Sequence, residues 1–168
     1  MSPAFRHLLL LPLFGLCLCV SAAPLDEPLK PLPAIPKQNP LRVELGRQLF
    51  NEPRLSVNGS LSCSSCHQLE TGGADNKAFS IGFAGLAVGV NTPSVFNASL
   101  NFRQFWNGRA DTLETQVHEV VQSPSEMGSN WEHVVQTLSA DPAYRALFAN
   151  AYPDGVNMTN VQNALASY

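Results

Sequence analysis

The sequence predicts an all-α fold, and three observations carry that prediction. Apolar residues recur at helical spacing in several segments, beginning with Leu41, Leu45 and Leu49. Residues that favour helix starts precede those segments, and two cysteines lie one helical turn apart within Cys63–His67. Because 168 residues suffice for a hydrophobic core, we expect one domain of ordinary size.

Residues 1–22 have the pattern of an export signal. Arg6 precedes an apolar run from Leu8 to Val20, and small residues follow that run. The run is shorter than the roughly 20 residues that cross a bilayer. We therefore expect cleavage near Ala22–Ala23 and no membrane span in the mature chain.

Residues 23–38 are rich in proline and lack apolar periodicity, which predicts an extended arm. The helical domain, residues 39–168, begins where Asn39–Pro40 provides a cap and a first helical residue. This helix is expected to end near residues 51–53. Ser62 can then cap the short helix that carries the cysteines.

Four further helix starts are predicted downstream. Each has a cap residue ahead of an apolar repeat, and the first two resemble capping boxes completed by Glu114 and Glu132. The four starts lie at Asp111, Ser129, Asp141 and Thr159.

The segment Cys63–His67 has the pattern of a covalent c-type haem attachment site. At this spacing both sulfurs reach the vinyl groups on one porphyrin edge, while His67 ligates the iron. A redox dithiol and half of a zinc site are the alternatives, and no later cysteine exists to complete the zinc site. One haem c and a periplasmic location follow, because this haem is attached outside the bacterial cytoplasm.

The segment from Gly72 to about Arg103 has many glycines and no clear period. Loops of this length are usually functional or disordered, and its many apolar side chains argue against disorder. We expect it to wrap the haem. The prediction is thus a cytochrome c-like helical domain with a haem-wrapping loop, preceded by a signal peptide and a proline-rich arm.

Charge excludes two classes of partner. The net charge of -3 gives no reason to expect nucleic acid or an anionic membrane.

The sixth ligand of the iron decides between two functions that the residues alone leave open. A methionine or second histidine makes an electron carrier, and an open position makes a site for peroxide. Met127 is the main candidate ligand, whereas His118 and His133 are interpreted as solvated surface histidines and Met158 as incidental.

Several ordered blocks together resemble the N-terminal haem domain of the bacterial dihaem cytochrome c peroxidases and their MauG-like relatives. The resemblance covers nearly everything from Asn39 to Tyr168. The blocks are Leu45–Phe50, Pro53–Ser56, Cys63–His67, Gly72–Asn76, Asn91–Asn97, Gln104–Ala110 and Ser125–Met127.

The resemblance implies reduction of hydrogen peroxide at this haem. Cys63 and Cys66 would bind the haem, His67 would be the proximal ligand, and Gln116 and Glu126 would form the distal polar pair. A buried carboxyl can move a proton between peroxide oxygens, and an amide can orient the peroxide. Met127 would then be a neighbour of the catalytic acid.

The resemblance also implies electron partners. Trp106 would lie between this haem and a second, C-terminal haem, and Asn91 would help to hold calcium at the domain junction. Electrons would arrive from a small donor protein, a cytochrome c or a cupredoxin. A homodimer is left open.

Two departures from the family pattern matter. Phe83 stands where many members have a histidine that closes the peroxide site, so we hypothesise a five-coordinate haem; Phe83→His should then give a low-spin ferric species. The chain also stops at Tyr168, where the family continues into a second haem domain, so a fragment is expected.

The sequence therefore predicts a periplasmic haem peroxidase domain. The alternatives are a monohaem electron carrier ligated by His67 and Met127, and a MauG-like haem oxidase.

Overall fold

The computed structural model describes residues 31–34 and 37–168. The expected signal peptide, residues 1–22, and most of the expected arm, residues 23–38, lie outside the described residues. Within the described ranges the regular elements are helices and no strand is present, so the all-α prediction is confirmed. The helices are α1 (Pro40–Phe50), α2 (Cys63–Cys66), α3 (Leu113–Gln122), α4 (Trp131–Ala140), α5 (Pro142–Ala151) and α6 (Met158–Ser167).

Three helix starts agree with the sequence, and one of them is Ser62, which precedes α2 as its N-cap. The Leu41 N–H donates to the Asn39 side chain at 2.9 Å, and Pro40 takes the first position of α1. The Ala143 N–H donates to the Asp141 carboxylate at 2.8 Å at the start of α5. These caps act over two residues, which is why local sequence predicts them.

Two caps lie one residue later than predicted. Asp111 pairs with Arg103, so the Thr112 hydroxyl caps α3 and accepts from the Thr115 N–H at 3.1 Å. Asn130, rather than Ser129, caps α4.

Ser129 instead makes a tertiary contact. Its N–H donates to the Val121 carbonyl at 2.9 Å, and the residue is buried. The last helix begins at Met158, in agreement with the predicted start near Thr159, and Asn157 is its cap.

The core lies where α1, α4, α5 and α6 meet. Helix α6 packs against α1 and α3, and α5 packs against α1 and α4. Leu41 is 51% exposed, so the predicted stripe of α1 is buried only at its two later leucines. The largest fully buried apolar side chains are Leu45, Leu49, Leu55, Val134, Leu138, Phe148 and Val161.

Helices α1 and α6 approach closely at Gly46. A Cβ atom on Gly46 would lie 2.0 Å from the Ala164 carbonyl oxygen, so only glycine fits this crossing. In the part of the chain that is described, no helix combines the length and apolarity needed to cross a membrane.

A buried carboxylate ties the turn after α1 to α5. Glu52, 9% exposed, accepts hydrogen bonds from Nε and Nη2 of Arg54, both at 2.7 Å, and from the Tyr144 hydroxyl at 3.0 Å. Arg54 also pairs with Asp141 at 3.1 Å. The Arg54 guanidinium is the main reason that the pKa of Glu52 lies below its ordinary value.

We predict that Gly46→Ala lowers the free energy of unfolding by about 3 kcal/mol or more, because the new methyl group would overlap the backbone of α6. Guanidinium denaturation of the haem-loaded chain measures this. Leu41→Ala on the exposed side of α1 is the control and should cost far less. Equal losses in the two variants would contradict the close crossing.

We predict that Glu52→Gln costs about 2 kcal/mol at pH 7, since charged hydrogen bonds are lost. Ionised Glu52 has a lowered pKa and therefore stabilises the fold above its ordinary pKa of 4.5, and that stability is lost as the pH falls through the lowered value. The difference between wild type and variant should shrink in acid. Denaturation at pH 7 and pH 3 tests this against Glu70→Gln, an exposed carboxyl whose substitution should change stability little at either pH.

Candidate functional site

The cysteine pair lies on the single helical turn α2. The Ser62 N–H donates to the Ser65 hydroxyl at 3.0 Å, and the His67 N–H donates to the Cys63 carbonyl at 2.9 Å. Both Cys63 and Cys66 are free thiols and partly exposed. The turn therefore presents two sulfurs one turn apart with an imidazole directly after them.

His67 is held by the loop that follows it. Its Nδ1 lies 3.1 Å from the Gly73 carbonyl oxygen, so Nδ1–H can donate there and Nε2 keeps its lone pair for a metal. Burial lowers the pKa of His67, which favours the neutral ligating form; the carbonyls of Gly73 and Pro93 oppose this shift.

Gly73 lies close to the backbone of Val95, which leaves little room for a side chain. It has a φ of 78°, and a Cβ on it would lie 3.0 Å from the Val95 backbone nitrogen.

The two thiols are not prepared for dithiol redox chemistry. Burial raises the pKa of Cys63 to about 12 and also raises that of Cys66. Reactive cysteines in redox pairs have the opposite property, a lowered pKa that maintains a thiolate. The raised pKa values therefore do not favour the redox alternative.

The segment predicted to wrap a haem contains a small hairpin, residues 80–88, which we call the 80–88 hairpin. The Val88 N–H donates to the Ser80 carbonyl at 2.9 Å, and the Gly82 N–H donates to the Leu86 carbonyl at 2.8 Å. Its tip has two consecutive positive φ angles, at residues 84 and 85, as in a type I′ turn. The Ser80 hydroxyl bonds to that of Thr92 and also contacts the Cys66 thiol.

The segment that follows the cysteine pair and His67 leaves large apolar side chains exposed. A porphyrin needs an apolar surface, two thiols and an imidazole, and the residues present fit that requirement. The exposed large apolar side chains of the segment are Phe79, Ile81, Leu86, Val90, Phe96, Leu100 and Phe102.

Glu126 lies on the turn between α3 and α4. Its side chain is half-buried, and burial raises its pKa. A hydrogen bond from Ser123 and the positive charge of Arg109 oppose that shift, while Glu119 adds to it. Such surroundings favour the protonated carboxyl over the ionised one, which suits an acid or base catalyst.

Met127 is 5% exposed and belongs to the hydrophobic core. Packing in the core is the ordinary role of a buried methionine, and ligation of iron by Met127 stays a prediction. The interpretation of Met127 as a neighbour of the acid agrees with this placement.

Gln116 is half-buried on α3. Within the described residues, the hydrogen bonds do not include one from its amide, and none joins it directly to Glu126. The predicted distal pair thus consists of a free amide on a helix and a carboxyl on the following turn.

Trp106 and Asn91 are brought together. The indole Nε1–H of Trp106 donates to the Asn91 carbonyl at 2.8 Å, and the ring is 66% exposed. The Asn91 side chain donates to the Lys77 carbonyl at 3.3 Å. Among the described residues no group of three or more His, Cys, Asp or Glu could hold a metal ion, so calcium at Asn91 stays a prediction.

His118 is not the solvated surface residue that the sequence predicted. Its ring stacks on Trp131 with centroids 5.9 Å apart, and its two nitrogens lie 2.8 Å and 3.1 Å from the amides of Gln122 and Gln162. It packs between α3, α4 and α6, because the helix crossing covers a face that the local period places outside.

Sequence reasoning missed three residues around the site. Arg109 acts on Glu126 through its charge, Ser123 bonds the carboxyl, and Ser80 contacts Cys66. Only Ser123 had a local signal, because the spacing Ser123-x-x-Glu126 is that of a capping box. The other two act across the tertiary structure.

A family model described as "Di-haem cytochrome c peroxidase" matches residues 40–168. Cytochrome c peroxidase Ccp of Escherichia coli (strain K12) is 38% identical over 144 residues, which cover 85% of this chain and 31% of that protein. Methylamine utilization protein MauG of Methylorubrum extorquens is 38% identical over 138 residues, covering 79% of this chain and 39% of that protein.

Solved structures show the same fold. A MauG-like protein associated with microbial copper homeostasis superposes with a TM-score of 0.73 at 32% identity, covering 87% of this chain and 45% of that one. The diheme peroxidase BthA of Burkholderia thailandensis superposes with a TM-score of 0.69 at 22% identity, covering 80% and 39%. The chain spans less than half the length of each of these relatives.

We predict that Glu126→Gln stabilises the fold at pH 7. A carboxyl with a raised pKa costs stability when it ionises, so this cost grows as the pH rises above the ordinary value of 4.5; glutamine never incurs it. The gain should vanish at pH 4. Urea denaturation at both pH values measures it.

Glu132→Gln is the control for that measurement. Glu132 is exposed in the first turn of α4, where a negative charge is favourable, so this variant should gain nothing at pH 7. If the difference in unfolding free energy between Glu126→Gln and wild type is the same at both pH values, the pKa of Glu126 is not raised by burial.

Proposed function

Because the chain belongs to the di-haem cytochrome c peroxidase family, we propose that it forms a periplasmic haem domain that reduces hydrogen peroxide to water. Residues 39–168 constitute the domain, and Cys63, Cys66 and His67 hold one haem c. The observation that carries the proposal is the half-buried Glu126 carboxyl, whose burial raises its pKa.

The overall reaction breaks one O–O bond. Hydrogen peroxide takes up two electrons and two protons, and two water molecules leave. When bound, the haem supplies the iron and the electron transfer that this cleavage needs. The chain's own residues must move the protons and orient the peroxide.

Glu126 is proposed as the residue that moves the proton. Its carboxylate accepts a proton from one peroxide oxygen and returns it to the other, which leaves as water. The raised pKa brings proton affinity closer to neutral pH, where acceptance and donation are both accessible. The Ser123 side chain favours the ionised form of the carboxyl and so moderates the effect of burial.

Gln116 is proposed to orient the peroxide. A primary amide offers two N–H donors and one carbonyl acceptor without taking a proton itself. Because the described residues leave this amide without a hydrogen bond, its donors are available to a ligand.

The electrons are proposed to arrive through Trp106, from a second haem or from a small cytochrome c or cupredoxin. The exposed indole is held by its bond to Asn91, so its ring is oriented before any partner arrives. We also propose Asn91 as one calcium ligand, since its side-chain oxygen has no hydrogen bond among the described residues.

A MauG-like oxidase is the second candidate, and Phe83 favours it. This side chain cannot ligate iron, so the site needs no prior reduction to open. An oxidase would act on a protein or small organic substrate with the same Glu126 and Gln116.

The test is the ferric spectrum of the haem-loaded chain before and after hydrogen peroxide. We expect high-spin iron that responds rapidly, and a Glu126→Gln variant whose response is slower by about 10²- to 10⁴-fold, the usual contribution of an acid–base group. Glu132→Gln should respond like wild type. Low-spin iron that ignores peroxide in the unmodified chain would overturn the proposal.

A further inference from the structure

The 80–88 hairpin lies directly against the turn that carries Glu126, residues 123–129, which we call the acid-bearing turn. The Phe83 N–H donates to the Glu126 carbonyl at 2.7 Å. This bond joins two segments that are 43 residues apart in sequence, counted from 83 to 126. It is a contact of main chain with main chain, so it fixes where the backbone of Glu126 lies.

Gly82 brings the two backbones within reach. A Cβ on Gly82 would lie 1.9 Å from the Ser125 carbonyl oxygen and 3.0 Å from the Glu126 Cα. Any side chain at this position would push the hairpin away from the turn. The absence of a side chain therefore makes the Phe83 hydrogen bond possible.

The Phe83 ring completes the contact. Gly128 has a φ of 62°, and a Cβ on it would lie 2.5 Å from Cδ1 and 2.7 Å from Cγ of Phe83. The ring thus covers the backbone of Gly128 on one side of Glu126, while its own N–H holds the carbonyl of Glu126. Phe83 therefore contacts the turn twice, with its backbone N–H at Glu126 and with its ring at Gly128.

The opposite side of the turn is held as well. The Val57 N–H donates to the Met127 carbonyl at 3.2 Å, and the Met127 side chain is in the core. Within the turn, the Gly128 N–H donates to the Ser123 carbonyl at 2.8 Å. The acid-bearing turn is therefore held by the 80–88 hairpin through Phe83 and by Val57 and the hydrophobic core through Met127.

We propose that Phe83 is a positioning residue for Glu126, holding the acid-bearing turn through its backbone N–H and through the packing of its ring on Gly128. The inference rests on the proposed role of Glu126. It assigns Phe83 a role in this chain beyond the loss of an iron ligand.

Docking of the hairpin has a chemical consequence for Glu126. If the ring is removed, water reaches the turn, and burial no longer favours the protonated carboxyl to the same extent. The charged groups that act on Glu126 from outside its own turn, Arg109 and Glu119, stay in place. The acid should then behave more like an ordinary exposed glutamate.

The experiment compares Phe83→Ala, Phe83→Leu and Phe102→Ala in the haem-loaded chain. Phe102 is 94% exposed, so Phe102→Ala removes the same atoms without a packing contact. Hydrogen–deuterium exchange is read by mass spectrometry over residues 80–88 and 123–129. The pH dependence of the peroxide response is measured on the same samples.

We expect Phe83→Ala to increase exchange about tenfold in both segments, because local opening of one releases the other. Its peroxide response should show an apparent pKa shifted downward from that of wild type, and Phe83→Leu should restore most of both properties by keeping an apolar side chain on Gly128. Phe102→Ala should match wild type.

A second comparison checks the ring contact itself. Gly128→Ala should increase exchange in the intact chain because the methyl group would overlap the ring, and should do so less in the Phe83→Ala background, where that overlap is absent. Equal effects in the two backgrounds would overturn the proposed contact.

Two further results would overturn the inference. One is unchanged exchange over residues 123–129 in Phe83→Ala. The other is increased exchange with an unchanged pH dependence, which would make Phe83 merely structural. If Glu126→Gln leaves the peroxide response intact, the proposed function has failed, and the positioning role fails with it. If the peroxide response of Glu126→Gln is slowed while the apparent pKa of Phe83→Ala is unchanged, the inference alone has failed.

Discussion

The site depends on the backbone hydrogen bonds that hold the turn between α3 and α4 from both sides. Val57, before the cysteine pair, donates to Met127, and Phe83, after it, donates to Glu126. Since both donors belong to segments that flank Cys63–His67, the ligands of the haem and the proposed acid are connected through main chain. Main-chain bonds of this kind place Cα atoms more precisely than side-chain contacts can.

Adjacent residues on this turn have opposite environments. Met127 is packed in the core and anchors the turn, whereas Glu126 is only half-buried and its carboxyl ionises with difficulty. Burial that is favourable for the thioether is unfavourable for the carboxylate. The packing of the core thus offsets the unfavourable free energy of ionising Glu126 in a half-buried position. Such unfavourable groups are common at sites of acid–base chemistry.

The arrangement of the proposed haem ligands has a different physical basis. Cys63, Cys66 and His67 are adjacent in sequence, and one helical turn with its following loop arranges them. The Gly73 carbonyl then orients the imidazole from six residues away. Little of the remaining fold is needed for this arrangement, whereas the Glu126 site requires three separate segments to meet.

Sequence by itself determined the helical class, the caps at Asn39 and Asp141, and the haem motif, because these depend on contacts within a few residues. The tertiary structure decided the cap at Thr112, since Asp111 is drawn to Arg103, and the burial of His118 against Trp131. It also decided that Phe83 and Gly128 meet. Such contacts between distant segments follow from the packing of whole helices, which leaves no local period or spacing in the sequence.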